Sequence, residues 1–161
     1  MGGGIVPVAI HGKTIYFLFG REVENKQWGD FGGGREGKET RFQTAIREGC
    51  EELDGFLGCE SSLKKLVTDN LLAKINTEKH LTYLFQIDYD ENLPIYFNNH
   101  HKFIEKHLKP KVNKDGLFEK SQIRWFSIAE LKRSRSTFRP FYRKVLDNII
   151  SIHREIENKI K

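Results

Sequence analysis

Three glutamates in the first third of the chain, Glu48, Glu51 and Glu52, lie within five residues after Arg47. If this stretch is a helix, each residue advances about 100° around the axis, so all three carboxylates fall on one face. Like charges at this spacing repel one another in water. Such a face suits either a solvated acidic surface or a hard divalent cation such as Mg²⁺ or Mn²⁺, which prefers oxygen ligands.

The helix that carries these glutamates is predicted from about Thr40 to Leu53. Its apolar residues recur at steps of four, four and three residues: Phe42, Ile46, Cys50 and Leu53. This is helical spacing, and we expect this face to lie toward the core, opposite the carboxylates. Gly55 is expected to follow the end of the helix, where a left-handed residue is common.

The residues upstream favour a ligand site over a solvated patch. Gly32, Gly33 and Gly34 allow the backbone to come close to a ligand because they have no side chain. Arg47 can hold a carboxylate through two parallel hydrogen bonds. We therefore favour a metal site on this helix.

The remaining pattern predicts a single domain over residues 1–161 with a mixed sheet, of the α/β or α+β class. A hairpin is expected at 5–10 and 14–22 with a turn at Gly12, and a loop at 25–34. Segment 61–70 fits either a helix or a strand. Further strands are predicted at 71–79, 80–90 and 121–127, and further helices at 94–109 and 139–160. On the last helix, we expect the inner face to hold Phe141, Val145, Asn148 or Ile149, and Ile152.

The chain has 161 residues and a formal net charge of +5. A basic balance suits a polyanionic partner such as a phosphate, a nucleotide or RNA. No apolar run approaches the roughly 18 residues of a membrane span, so no membrane partner is expected. Cys50 and Cys59 lack the spacing of a zinc site, and we expect reduced thiols and a cytoplasmic location.

The stretch from Gly33 to Gly55 resembles the Nudix box, written G-x5-E-x7-R-E-U-x-E-E-x-G-U, in which U is aliphatic. Six positions fall in register: Gly33, Glu39, Arg47, Glu48, Glu51 and Glu52. The chain departs from the pattern at Gly49, where an aliphatic residue is usual. The closing glycine, Gly55, also comes one residue late.

The resemblance implies a Nudix-type α/β/α sandwich with a central mixed β-sheet. It also implies hydrolysis of a pyrophosphate linked to a group X, with Mg²⁺ or Mn²⁺ as cofactor. The residues that would bind the metal are Glu48, Glu51, Glu52 and the backbone carbonyl of Gly33. Glu39 and Arg47 would brace the loop against the helix.

Three residues are candidates for the general base in such a reaction: Glu51, Glu52 and, on a later loop, Glu119. The candidates for substrate binding are Arg21, Trp28, Phe31, Arg35 and Lys38. A basic run near the end, with Arg133, Arg135, Arg139 and Arg143, fits either a guide for an RNA backbone or a solvated helix face.

The stretches at 19–34 and 45–52 also resemble Nudix proteins of large DNA viruses, some of which remove the mRNA cap. The expected substrate is therefore capped RNA or a dinucleotide, and in the viral case the location is the host cytoplasm. One alternative is a diphosphoinositol polyphosphate. Another is a non-catalytic Nudix module that binds a nucleotide or RNA, although such modules usually lose box glutamates. A monomer or a homodimer is expected.

Overall fold

The computed structural model describes residues 1–109, 112 and 117–161. Within these residues the strands are β1 Gly2–His11, β2 Thr14–Glu22, β3 Trp28–Gly29, β4 Phe31–Gly34, β5 Leu71–Asn76, β6 His80–Gln86 and β7 Lys120–Ser127. The predicted hairpin is confirmed, with Gly12 in a left-handed turn at φ 61°. The stretch predicted as a loop at 25–34 instead contains β3 and β4, because both pair with strands of the sheet.

The helices are α1 Arg41–Glu52, α2 Glu60–Asp69, α3 Leu93–His107, α4 Ile128–Ser134 and α5 Arg143–Lys159. Two short 3₁₀ turns, Arg135–Thr137 and Pro140–Tyr142, lie between α4 and α5. The segment at 61–70, which fitted a helix or a strand, is helical. Across the described residues, none of the helices has the length and apolar character needed to cross a bilayer.

Strand β1 is the centre of one mixed sheet. Its first half pairs antiparallel with β4, its second half pairs antiparallel with β2, and β6 runs parallel to it on the other side. Beyond these, β2 pairs with β3 and β7, and β5 pairs with β6. This order brings the end of β2, the start of β7 and the glycine strand β4 close to one another.

Helices cover both faces of the sheet. Val6 and Val8 of β1 pack into a core with α4 and α5, whereas Ile5 and Ala9 pack into a second core with α1, α2 and α3. Successive side chains of a strand point to opposite faces, so a strand buried on both sides is apolar throughout. The fold is an α/β/α sandwich, which confirms the predicted class.

Helix α1 lies unusually close to β1. A Cβ atom at Gly3 would overlap the carbonyl oxygen of Arg41 and lie 3.2 Å from the nitrogen of Ala45. Gly49, the residue that replaces the usual aliphatic, lies against the side chain of Ile5. The helix therefore approaches the sheet through small residues, and Ile5 fills the space beside Gly49.

This close approach corrects the predicted inner face of α1. Phe42 and Cys50 are only partly buried, although Ile46 and Leu53 are buried as predicted. Ala45, Gly49 and Glu52 are buried against the sheet, and the small side chains of Ala45 and Gly49 permit the short distance between helix and strand. The larger apolar residues of the helix then lie on its flank.

The start of the last helix is also corrected. Pro140 begins a 3₁₀ turn and α5 starts at Arg143. Phe141, predicted on the inner face, is 48% exposed. The buried residues of the helix are Val145, Leu146, Ile149 and Ile156.

The two cysteines are joined in a disulfide, with 4.8 Å between the Cα atoms of Cys50 and Cys59. The expectation of reduced thiols is therefore not met. The chain turns back after α1 through left-handed residues at Asp54 (φ 50°), Gly55 (φ 74°) and Gly58 (φ 88°). This turn brings the start of α2 beside the last turn of α1.

Replacing Gly3 by alanine is expected to lower the free energy of unfolding by about 1–3 kcal/mol, because backbone atoms of α1 would have to move away from the new methyl group. The matched control is Gly34→Ala, since nothing lies within 4 Å of a Cβ atom at Gly34 in the partner strand. Urea unfolding of both variants checks this. Equal stability of the two variants would contradict the close approach of helix and strand.

Candidate active site

The first turn of α1 is held by a reciprocal cap. The hydroxyl of Thr40 accepts a hydrogen bond from the backbone N–H of Gln43 (3.1 Å), and the Gln43 side chain accepts one from the N–H of Thr40 (2.8 Å). Such a capping box satisfies backbone donors that the helix leaves free. It sets where the helix begins and therefore which residues face β4.

Arg47 ties the helix to the loop that precedes it. Its Nε donates to Glu39 Oε1 (2.8 Å), and its Nη2 donates to the carbonyl oxygen of Gly34 (3.0 Å). Its Nη1 reaches Glu48 Oε1 (2.9 Å) and Glu51 Oε2 (3.2 Å). One guanidinium therefore neutralises part of the charge on three carboxylates.

The hydrogen bond from Arg47 is the largest influence on Glu39 and lowers the pKa of this carboxyl from 4.5 to about 2. The same bond is the largest influence on Arg47 and raises the pKa of its guanidinium. Glu39 also accepts a hydrogen bond from Thr44 Oγ1 (2.9 Å). Glu39 and Arg47 are thus in direct contact, and their role in bracing the loop stays a prediction.

Glu48 lies against Gly33. A Cβ atom at Gly33 would lie 2.5 Å from Glu48 Oε1, so the carboxylate occupies the space that a side chain would need. Burial is the largest influence on Glu48 and raises the pKa of its carboxyl. The glycine is therefore required for the approach of Glu48 to the strand, while a ligand role for its carbonyl stays a prediction.

Glu52 is the most buried of the three helix carboxylates, with 2% of the residue exposed. Its Oε2 accepts a hydrogen bond from the backbone N–H of Gly32 (2.6 Å). Burial raises the pKa of the Glu52 carboxyl well above its usual value, and the nearby ammonium of Lys120 opposes this rise. A cation beside a buried carboxylate favours its ionised form and so limits this rise.

Two further glutamates meet Glu52. Glu22 ends β2 and Glu119 directly precedes β7, and the backbone N–H of Val23 donates to the carbonyl oxygen of Glu119 (2.8 Å). Carboxylate oxygens of Glu22, Glu52 and Glu119 lie within 4.8 Å of one another. Burial is the largest influence on Glu119 and raises its pKa.

Two cations enter the same cluster. Lys120 Nζ lies 2.6 Å from Glu22 Oε1 and 3.5 Å from Glu52 Oε1. Arg139 Nη1 donates to the same oxygen of Glu22 (3.2 Å). Burial lowers the pKa of Lys120, but the carboxylates of Glu52 and Glu22 outweigh it and raise the pKa on balance.

These groups line a polar cleft of about 400 Å³. Its walls are formed by Glu22, Glu24, Asn25, Gly32, Gly33, Gly34, Glu36, Arg47, Glu48, Glu51, Glu52, Glu119 and Arg139. The residues predicted to bind metal, to brace the loop or to act as base therefore meet in one place, with Glu39 directly behind Arg47. The cleft gathers carboxylates from α1, β2 and the start of β7.

Two aromatic residues predicted to contact the substrate are instead buried. Phe31 is 0% exposed and Trp28 is 8% exposed. Trp28 packs edge to face on Phe126, on the α5 side of the sheet, while Phe31 packs on the α1 side. The alternation of strands β3 and β4 turns these rings into the cores, which removes them from the cleft.

The predicted basic contacts also lie outside the cleft walls. The side chain of Arg21 lies on the opposite face of β2 from that of Glu22. Its Nε donates to the carbonyl oxygen of Lys26 (3.0 Å). Arg35 and Lys38 are exposed in the loop before α1, where Arg35 Nε donates to the carbonyl oxygen of Gly37 (3.2 Å). Their part in substrate binding stays a prediction.

Sequence reasoning did not place Glu22, Lys120 or Arg139 in the site. Lys120 is 98 residues from Glu22, and Arg139 is 117 residues from it. A glutamate at the end of a strand and a lysine at the start of another are common on protein surfaces. Only Glu119, which the sequence analysis had named as a candidate base, pointed to this part of the chain, because Lys120 follows it directly.

No family model matches the sequence, and no curated protein matches it. Solved structures do match. An Ap4A hydrolase of C. elegans, in a binary complex, is 13% identical over 96% of this chain and 98% of that chain, with a TM-score of 0.57. A NUDIX hydrolase from Nitrosomonas europaea is 15% identical over 95% and 70% of the two chains, with a TM-score of 0.51. The chain has the Nudix fold.

A third Nudix-fold match belongs to a larger protein. The bifunctional NMN adenylyltransferase/ADP ribose pyrophosphatase of Francisella tularensis, complexed with AMP and a Mn ion, is 13% identical with a TM-score of 0.55. The match covers 92% of this chain and 41% of that chain. At these identities the likeness is one of fold, and chemistry must be argued from the residues of the cleft.

The cleft residues fit a hard divalent cation, the group with which this fold is associated. The donor set is made of carboxylate oxygens, and Glu48 occupies a space against Gly33 that a Cβ atom would fill. Carboxylates are the side chains that Mg²⁺ and Mn²⁺ prefer. Glu48, Glu51 and Glu52 would hold such an ion.

Glu39→Gln is expected to lower the free energy of unfolding by about 1 kcal/mol near neutral pH, since the pair with Arg47 is partly exposed. The lowered pKa of Glu39 contributes stability above pH 4.5, and this contribution is lost as pH falls toward about 2. Urea unfolding from neutral to acid pH should show the wild type and the variant converging.

The matched control for this prediction is Glu36→Gln, since Glu36 is 73% exposed and 3.7 Å from Arg47. A stability difference for Glu39→Gln that stays constant with pH would contradict the role of the Arg47 pair.

Proposed function

We propose that this protein is a divalent-metal-dependent Nudix pyrophosphohydrolase that cleaves a nucleoside diphosphate linked to a group X. The observation that carries the proposal is the meeting of Glu48, Glu51, Glu52 and Glu119 in one cleft of a Nudix fold, with Arg47 bound to the helix carboxylates. Mg²⁺ or Mn²⁺ is the proposed cofactor. A divalent ion held there neutralises charge on the pyrophosphate and makes water a better acid.

Other groups of the protein hold the carboxylates in place and can contact the substrate. Arg47 holds Glu48 and Glu51 in place, and the N–H of Gly32 holds Glu52. Fixed carboxylates present their charge without reorganisation, which is how an active site stabilises charge that develops during a reaction. Arg139 lies at the wall of the cleft, where its guanidinium can contact phosphate oxygens.

Glu119 is the general base that we propose. Its raised pKa, caused first by burial, favours acceptance of a proton from the attacking water at a carboxylate oxygen. Glu51 is instead bound to Arg47, and Glu52 is bound to the N–H of Gly32. Both carboxylates therefore already have hydrogen-bond donors inside the protein.

For the substrate, we propose capped RNA or a dinucleotide first. The matched structures include an Ap4A hydrolase and an ADP ribose pyrophosphatase, and the net charge of +5 suits a polyanion. A diphosphoinositol polyphosphate is the alternative substrate. The non-catalytic nucleotide- or RNA-binding module is less well supported, because the chain retains all three helix glutamates of the box.

The basic run offers less to an RNA backbone than its sequence suggested. Arg135 makes two hydrogen bonds to Asp147, at 2.7 and 2.8 Å. Arg143 donates to the backbone carbonyls of Phe138 and Ser136, at 3.1 and 2.8 Å. Arg139 donates to Glu22, so three of the four arginines are engaged within the protein, which favours recognition of a nucleotide end over tracking along RNA.

A panel assay identifies the substrate class. Product release is measured with Mg²⁺ and with Mn²⁺ on capped RNA, nucleoside triphosphates, dinucleoside polyphosphates, NADH and a diphosphoinositol phosphate. We expect metal-dependent release from a compound with a nucleotide end. Release from the inositol compound alone selects the alternative substrate, and binding without release selects the non-catalytic module.

Glu51→Gln and Glu52→Gln are each expected to lower turnover by at least about 100-fold, because each removes negative charge that the metal requires. Circular dichroism and thermal unfolding should show that both variants remain folded. Glu155→Gln, on the exposed side of α5, is the control and should keep full turnover. Wild-type rates in both cleft variants would rule out the proposed metal site.

A further inference from the structure

Lys120 lies behind the cleft walls, in contact with Glu22 and Glu52, and its side chain is 0% exposed. Lysine is almost never fully buried unless it is paired, because removing an ammonium from water is costly. Here the partners are carboxylates of the site itself, Glu22 at 2.6 Å and Glu52 at 3.5 Å. The ammonium therefore belongs to the charge arrangement of the cleft.

The pairing of β2 with β7 sets the direction of the Lys120 side chain. The register between β2 and β7 shifts beside Glu22, so Lys120 pairs with Glu22 while Gln122 pairs with Arg21. Partner residues of an antiparallel pair share a face, and the extra residue, Ser121, thus turns Lys120 toward α1. A regular strand would have turned Lys120 to the other face.

Gly20 makes room for the stem of this lysine. A Cβ atom at Gly20 would lie 2.9 Å from Lys120 Cδ and 2.8 Å from the ring of Phe31. The methylene groups of Lys120 therefore cross the strand where β2 has no side chain. The bulge at Ser121 and the space at Gly20 together place the Lys120 ammonium beside Glu22 and Glu52.

The carboxylates at this point need a cation. Glu22, Glu52 and Glu119 have oxygens within 4.8 Å of one another, and like charges at this distance in a buried site repel strongly. Glu22 Oε1 already has both Lys120 and Arg139 as partners. Glu48 and Glu51 are instead turned toward Arg47 at the other side of the cleft.

We propose that Lys120 is a resident cation of the cleft, occupying the position between Glu22 and Glu52 that a divalent ion would otherwise take. Glu22 is then a positioning residue for Lys120. Divalent ions bind on the other side, through Glu48, Glu51 and the remaining lone pairs of Glu52. This inference rests on the proposed metal site, but it concerns the number of ions and not the turnover.

The test counts bound Mn²⁺ per chain by electron paramagnetic resonance, without substrate, for the wild type and for Lys120→Met. Methionine keeps the length of the stem across Gly20 and removes the charge. We expect Lys120→Met to bind one Mn²⁺ more than the wild type. An unchanged number of ions would overturn the proposal.

The matched control is Arg139→Gln, which also removes a positive charge that contacts Glu22 Oε1 but leaves the buried position filled. It should keep the wild-type number of ions. If it gains an ion as Lys120→Met does, the effect is one of general charge and the resident position is refuted.

A second variant serves if Lys120→Met does not fold. Glu22→Gln should bind as many Mn²⁺ ions as the wild type, because Glu22 holds the lysine and is not a metal ligand, whereas Glu51→Gln should bind fewer. Loss of an ion in Glu22→Gln would make Glu22 a ligand and overturn the proposal.

The ion count and the substrate panel together distinguish failure of this inference from failure of the proposed function. A wild-type chain that binds Mn²⁺ but cleaves nothing refutes the enzyme and leaves the resident cation standing. A wild-type chain and a Lys120→Met variant that both bind no Mn²⁺ refute the metal site and the resident cation together.

Discussion

The carboxylate of Glu52 is buried beneath the glycine strand, and much of the surrounding structure compensates for that one charge. An isolated carboxylate in the interior would take up a proton. Here its two oxygens face the N–H of Gly32 and the ammonium of Lys120. Because Glu22 and Glu119 lie close by, the same ammonium offsets part of the charge of three carboxylates.

Most of the compensation is divided between two cations from different parts of the chain, Arg47 and Lys120, and Arg139 is a further partner of Glu22. Arg47 lies on the helix itself and holds the outer carboxylates, Glu48 and Glu51, together with Glu39 of the loop. Lys120 comes from β7 and serves the inner group. This division leaves carboxylate charge in the cleft that neither cation fully neutralises, which is the condition under which a divalent ion or a phosphate-bound cation is attracted.

Glycine makes this arrangement sterically possible at three positions. Gly3 lets α1 approach β1, Gly33 leaves space for the carboxylate of Glu48, and Gly20 lets the Lys120 side chain pass over strand β2. Each is a place where a methyl group would meet atoms of the site or of the helix that carries it. The electrostatics of the cleft thus depend on close backbone packing more than on long side chains.

The sequence by itself determined the helix that carries the glutamates and a mixed sheet with helices, because these follow from spacing along one helix and from strand patterns. The bracing by Arg47 and the sandwich arrangement were expectations from the resemblance to the Nudix box. Only the tertiary structure decided which other residues complete the site. Glu22, Lys120 and Arg139 are brought together by the pairing of β2 with β7 and by the turns before α5, over separations of 98 and 117 residues. The burial of Trp28 and Phe31 and the pairing of Cys50 with Cys59 were likewise decided there. Spacing along the sequence predicts which side chains share one face of a helix. Contacts across a sheet depend instead on the register between strands. The bulge at Ser121 shifts that register and turns Lys120 toward the site.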